Sequence, residues 1–246
     1  MPSAVAFVPA RSGSERVPGK NVRRLAGHPL LAYAIATAHA SGVFERVVCS
    51  TDSDEIAEIA RWYGAEVPFL RPPQYATATS PDIEWLGYTL RKLPESYDLF
   101  ALIRATNPFR GPDVIRRGLE QLLATPEADS IRAVELVKQH PGKMWIVEGA
   151  TMRPLLDQSH LDEAWHAGQY QALPEVYVQN SALEIAWTRV VFEHATREGR
   201  VLAPFVTQGY EGFNVDDEED WARAERLVAD GKARLQPIDR EPYAAG

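Results

Sequence analysis

The sequence predicts an α/β fold organised as a doubly wound, mainly parallel sheet, and three observations carry that prediction. The chain opens on a continuously apolar run, Ala4-Val-Ala-Phe-Val8, cut off by Pro9 and a Gly/Ser-rich loop, as expected of a strand buried on both faces of a parallel sheet. Strand-like runs then alternate with helical periods, as in βαβ units. The 246 residues, 45% of them hydrophobic, supply enough apolar side chains for a sizeable core.

Pro29 to Ala40 is Ala-rich with apolar residues at helical spacing and predicts the first helix; Arg46-Val-Val-Cys-Ser-Thr51 predicts the second strand. Asp52 to Tyr63 reads as a second helix, with Ser53 or Asp54 near its start and Gly64 just past its end. A helix over Pro81 to Leu93, a strand over Leu99-Phe-Ala-Leu-Ile103 and a helix over Pro112 to Ala124, opened by its proline, continue the alternation. In such a sheet ligands are expected at the carboxyl ends of the strands. From Val134 to Leu173 no period persists, which predicts an excursion protruding from the core. Core-like sequence returns at Ser181-Ala-Leu-Glu-Ile-Ala-Trp187, and a last helix covers Glu218 to Ala229. The expected organisation is a core of residues 1–133 and 174–235, an excursion at 134–173 and a loosely ordered tail at 236–246.

A formal charge of -8 and a pI near 5.3 argue against a partner that is a nucleic-acid polymer, whose phosphates call for a cationic surface. The lone Cys49 excludes an intrachain disulfide framework and a multi-cysteine zinc site, and its apolar neighbours predict a core thiol. No apolar stretch approaches the ~18 residues of a membrane span and Met1-Pro-Ser lacks a basic signal region, so no membrane partner is expected and the location expected is cytoplasmic.

Directly after the first strand come Gly13 and Gly19, Ser12 and Ser14, and the cations Arg11, Arg16 and Lys20. Glycines let backbone amides approach a phosphate and the cations neutralise it, so this loop is a candidate anion cradle. It matches neither the Walker nor the Rossmann phosphate motif. Carboxylates near Gly212-Phe-Asn-Val-Asp-Asp-Glu-Glu-Asp220 are the candidate site for the divalent cation that nucleoside-triphosphate chemistry requires. The competing reading is that Asp217, Glu218 and Glu219 favour a helix N-terminus through its dipole.

The run Val8-Pro-Ala-Arg-Ser-Gly-Ser-Glu-Arg-Val-Pro-Gly-Lys-Asn21 closely resembles the opening of the acylneuraminate cytidylyltransferase family. The resemblance continues at Ser50-Thr-Asp-Ser-Asp-Glu-Ile, Phe69-Leu-Arg-Pro72, Thr106-Asn-Pro-Phe-Arg110, Asn180-Ser-Ala and Val215-Asp-Asp-Glu-Glu-Asp-Trp221, in order along nearly the whole chain. It implies a Rossmann-like nucleotidyltransferase fold and transfer of CMP from CTP to the hydroxyl of an acidic keto-sugar. By resemblance Arg11, Ser12, Gly13, Ser14, Arg16, Lys20, Asn21 and Arg71 bind nucleotide, with Arg11, Lys20 and Asp216 catalytic, while Glu15 is expected to point away from the phosphates. Mg²⁺ is the implied cofactor, on Asp216, with Asn214 standing where the family commonly has a carboxylate and Asp217 as a substitute ligand.

For the acid, the resemblance points to Arg104, Lys143, Gln171 and Asn180. Arg104 replaces a frequent glutamine and would hold a carboxylate or phosphonate bidentately; Tyr170 stands where a sugar-contacting arginine is frequent. The excursion, with Trp145, Trp165 and Tyr170, is expected at a homodimer interface, Lys143 reaching the neighbouring site, or else as a cap on its own chain. Three alternatives remain open: a cytidylyltransferase for a phosphonate or other non-sugar acid, a non-catalytic nucleotide-binding regulatory protein, and a glycosyltransferase. No general base is assigned among His28, His140 and His166.

Overall fold

The computed structural model describes residues 2–13 and 16–244. Ser14 and Glu15, with the expectations attached to them, lie outside the described residues. The chain divides into two compact units, Met1–Ala133 with Asn180–Gly246, and Val134–Gln179.

In the first unit β1 (Ala4–Pro9) lies between β4 (Arg46–Ser50) and β5 (Leu99–Leu102), parallel to both, after a short hairpin of β2 (Arg24–Leu25) and β3 (His28–Pro29) in chain order. The six-stranded sheet continues from β5 through β9 (Tyr177–Trp187) and β6 (Ser130–Leu136) to β10 (Leu202–Val206) at the edge, with β9 antiparallel to β5. Because side chains alternate along a strand, β1 feeds two cores at once. Ala4, Ala6 and Val8 join residues of α1 (Leu30–Ser41), α2 (Asp54–Trp62) and α4 (Pro112–Leu123) on one face. Val5 and Phe7 join α3 (Asp82–Lys92) and α5 (Arg189–Glu193) on the other. This is the doubly wound arrangement expected.

The helix ends follow their capping residues. Gly42 closes α1 in the left-handed conformation, and Ser53 opens α2 by accepting from the Ile56 amide. A third core matters most for the site. Trp221, Ala224 and Leu227 of α6 (Glu218–Ala229) pack with Val17, Leu25, Phe109 and Val215, so the acidic segment before α6 is drawn to the loop after β1.

The described part of the tail expected to be loose, residues 236–244, carries no regular element but is tied down. The Tyr243 amide donates to the Tyr63 hydroxyl at 3.1 Å, its carbonyl accepts from Arg24 at 2.6 Å, and Ile238 packs against the core. Among the described residues no helix is long and apolar enough to cross a membrane.

The second unit holds the hairpin β7 (Trp145–Glu148) and β8 (Thr151–Pro154), turning at Gly149 with φ 64°. The unit runs on to Gln179 rather than ending at Leu173. His140 is buried there, edge-on to Trp165 and Tyr170, and its ring accepts from the Gly142 amide at 3.0 Å. Its task is packing.

Candidate active site

The loop after β1 is built, not merely basic. The Ala10 amide extends the strand by donating to the Ser50 carbonyl at 3.0 Å. Ser12 then donates through its amide and hydroxyl to the two oxygens of Asp52, at 2.9 and 2.7 Å. Asn21 closes the far end, its side-chain amide donating to the Arg11 carbonyl at 3.0 Å. Gly19, at φ 62°, makes the turn between Lys20 and the loop, since a left-handed backbone favours glycine. Ser12 and Asn21 were expected to bind nucleotide; the structure uses both side chains to hold the loop's shape. Gly13 sits tight against Arg11, where an added Cβ would approach its guanidinium at 3.2 Å.

This loop borders a cavity of about 490 Å³ at the carboxyl ends of β1 and β5, into which Arg11, Arg16, Lys20, Arg71 and Arg104 converge. Lys20 donates to the Val215 carbonyl at 2.9 Å and lies 3.9 Å from Asp216. Burial, helped by Arg16 and Arg11, draws its pKa below that of an ordinary lysine against the pull of Asp216. Arg16 reaches Asp216 at 3.4 Å. Arg71, 6% exposed, donates to the Ser50 hydroxyl and carbonyl at 3.1 and 2.8 Å and stacks 4.6 Å from the Trp85 ring centroid. Burial lowers its pKa to about 10, and no carboxylate lies within ion-pairing distance among the described residues.

Across from these cations the chain from Phe213 to Asp216 is threaded beside Thr106 and Asn107. The Val215 amide donates to the Thr106 carbonyl at 2.8 Å, and the Asn107 side chain donates to the Phe213 carbonyl at 2.8 Å. Asn214 donates to one oxygen of Asp216, while its own Oδ1 is buried with no hydrogen-bond partner. An orphaned carbonyl oxygen next to a carboxylate suits a hard divalent cation. Among the described residues no group of three or more His, Cys, Asp or Glu could hold a metal by itself. The pair therefore fits an ion such as Mg²⁺, which completes its shell with phosphate oxygens and water. Asp217, expected as a substitute ligand, is instead the N-cap of α6: it accepts from the Asp220 amide and shares a capping box with Asp220.

The residues expected to hold the acid are placed differently from that reading. Arg104 lines the cavity, but its Nη2 already donates to Asp82 at 2.6 Å and its Nε and Nη2 to Glu184 at 3.3 and 3.2 Å, so a bidentate grip on a substrate is pre-empted. Asn180 donates to Thr207 and accepts from the Ala182 amide, leaving the adjacent Ser181 to line the cavity. In the second unit Lys143 donates to the carbonyls of Gly168 and His166 at 2.8 and 3.3 Å, and Gln171 sits exposed in a single 3-10 turn.

Asp52, Asp82 and Ser181 escaped the sequence reading. Asp52 had a usable signal, as an aspartate just past the second strand on the side where ligands gather. Ser181 lies in the Asn180-Ser-Ala run that carries the resemblance, where its neighbour Asn180 was singled out instead; Asp82 had no such signal.

The sequence signature described as Cytidylyltransferase matches residues 5–141. The chain is similar to the CMP-N,N'-diacetyllegionaminic acid synthase of Legionella pneumophila, 33% identical over 230 residues, 91% of this chain and 95% of that protein. It is also similar to the N-acylneuraminate cytidylyltransferase of Escherichia coli, 30% identical over 238 residues, 96% of this chain and 54% of that longer protein. Its fold resembles that of a CMP:2-keto-3-deoxy-manno-octonic acid synthetase complexed with CTP, with a TM-score of 0.68 at 13% identity, covering 93% of this chain and 99% of that one. A basic loop after the first strand, an acidic segment facing it and these likenesses agree, and the chain belongs to the cytidylyltransferase family, among its acylneuraminate-type enzymes.

Proposed function

We propose that this protein transfers CMP from CTP to a hydroxyl of an acidic keto-sugar of the sialic-acid type, releasing pyrophosphate. The observation that carries the reading is the cavity itself, where Arg11, Arg16, Lys20 and Arg71 face Asn214 and Asp216. Family membership supplies the reaction class, and the relatives' names supply the kind of acid.

In this reading the acceptor hydroxyl attacks the α-phosphorus, a new P–O bond forms, and the bond to the β-phosphate oxygen breaks. Arg11, Arg16 and Lys20 stabilise the charge that develops on the departing pyrophosphate. Lys20 needs little reorganisation for that task, because the Val215 carbonyl already holds its ammonium in place. Asp216 and Asn214 hold Mg²⁺, which when bound neutralises phosphate oxygens and polarises the α-phosphate. Arg71, a buried cation of the cavity with no ion-pair partner among the described residues, serves the nucleotide. The same reading takes the protein as a cytoplasmic homodimer, a state supported by apolar side chains exposed in the second unit.

The test is a pyrophosphate-release screen with Mg²⁺, crossing CTP, GTP, UTP and ATP with nonulosonic, octulosonic and phosphonic acids. Release with CTP and a keto-sugar acid is expected. Release only with the phosphonic acids would replace the sugar by another acid, and tight CTP binding without release on any acid would identify a regulatory nucleotide-binding protein.

A further inference from the structure

Beside the cavity, three guanidinium groups, those of Arg104, Arg132 and Arg197, meet three carboxylates, those of Asp82, Glu184 and Glu198. Arg197 bridges Asp82 at 2.9 Å and Glu184 at 3.0 Å, the same two groups that hold Arg104. Arg132 ties Glu184 at 2.9 Å and also pairs with Glu198. The cluster is assembled from the carboxyl end of β5, the first residue of α3, β6, the body of β9 and the segment after α5. Asp82 is further engaged by the Trp85 indole at 2.9 Å. Burial opposes the ionisation of Asp82, yet Arg104, Trp85 and Arg197 hold its carboxyl below the ordinary range, so it stays charged at neutral pH.

Two of these residues, Arg104 and Asp82, line the cavity. Arg104 therefore faces it with its charge already balanced and with Nη1 as the nitrogen that has no hydrogen-bond partner among the described residues. A carboxylate brought here would be stripped of water and would meet three guanidinium groups already matched by three carboxylates, while Arg11 and Arg71, with no ion-pair partner among the described residues, stand elsewhere in the same cavity. Such a wall suits an uncharged hydrogen-bond acceptor.

We infer that the Arg104–Asp82 pair determines specificity by reading an uncharged oxygen of the acid, an acylamino carbonyl or a hydroxyl, and that the acid's carboxylate is bound elsewhere in the cavity. The inference rests on the proposed activation of an acid by CTP. Glu184 and Arg197 are positioning residues: Glu184 takes Nε and Nη2 of Arg104, Arg197 fixes the two carboxylates that hold it, and the two N–H groups of Nη1 are left for a ligand.

The test compares two keto-sugar acids identical in their carboxylate, one bearing an acetamido group and the other a hydroxyl in its place. Asp82→Asn with Arg104→Gln keeps the cluster formally neutral. In this double variant the ratio of the two KM values shifts about tenfold, the weight of one hydrogen bond, while CTP affinity by calorimetry, which also reports folding, stays at the wild-type value. KM values that rise together a hundredfold or more would make Arg104 the carboxylate clamp, and an unchanged ratio would remove it from recognition; either overturns the inference.

The single variant Asp82→Asn supplies an independent measure. It leaves one excess positive charge, so pyruvate becomes a several-fold better competitive inhibitor against the acid; inhibition equal to that of the wild type overturns the inference. Absence of turnover by the wild type with every acid would overturn the proposed function, and this inference with it.

Discussion

Asp216 concentrates the chemistry of the site in one side chain. Its carboxylate faces Arg16 and Lys20, accepts from Asn214, and sits beside a buried carbonyl oxygen that has no partner. Nothing in that list stabilises the fold by much, because the side chain is 41% exposed and exposed ion pairs contribute little. Asp216→Ala should therefore abolish Mg²⁺-dependent pyrophosphate release while the thermal midpoint stays within a few degrees of the wild type. A magnesium titration beside a melting curve checks both halves, and full turnover in the variant would take Asp216 out of the mechanism. Its neighbour Asp217 carries the opposite division of labour. As the N-cap of α6, Asp217→Ala should cost about 1 kcal/mol of stability in urea unfolding yet leave the magnesium dependence of turnover unchanged. A loss of magnesium affinity in that variant would return Asp217 to the metal site.

Elements are also joined by a few buried polar ties away from the site, and one of them titrates. Asp129, just before β6, accepts from the Arg200 and Val201 amides and pairs with Arg189. Those bonds lower its pKa from 3.8 to about 2. A depressed carboxyl contributes stability that is complete above its unfolded value and disappears as pH falls through its folded value. Stability should therefore fall between pH near 4 and pH near 2, and Asp129→Asn should flatten that segment of the profile in denaturant melts taken at each pH. An unchanged slope would assign acid unfolding to other groups. Legibility in the sequence divides along similar lines. The strands β1 and β5 are apolar throughout and β4 has an apolar centre, Val47-Val-Cys49, because both of their faces are covered, and Ser53, Pro112 and Gly42 mark helix ends by local chemistry, so these elements could be read directly. The strand β10 escaped because it contains Pro204 and alternates buried with exposed residues, as an edge strand tolerates. The anion loop was legible because its cations are adjacent in sequence. The Arg104 cluster was not, since Asp82, Glu184 and Arg197 come from separate elements and meet only after folding; the same distance hid the prior engagement of Arg104.

At the scale of the whole molecule, the second unit raises the question of what covers it. The hairpin of β7 and β8 pairs Val147 with Met152 and Trp145 with Pro154. Residues directly opposite, and those two apart along a strand, share a face, so these four form one apolar strip. Val147 is 72% exposed and Met152 59% exposed. A two-stranded hairpin is at best marginal alone in water, and an uncovered apolar strip on it invites association. A second copy of the chain is the occupant that the proposed homodimer supplies. The wild type should sediment as a dimer, and Val147→Glu with Met152→Glu should sediment as a monomer, because the symmetry of a twofold contact places each introduced charge near its copy. CTP affinity by calorimetry should survive in the variant, since the described residues that line the nucleotide cavity all belong to the first unit. A wild type that sediments as a monomer at working concentration would sink the homodimer, and a variant that stays dimeric would move the interface away from this hairpin.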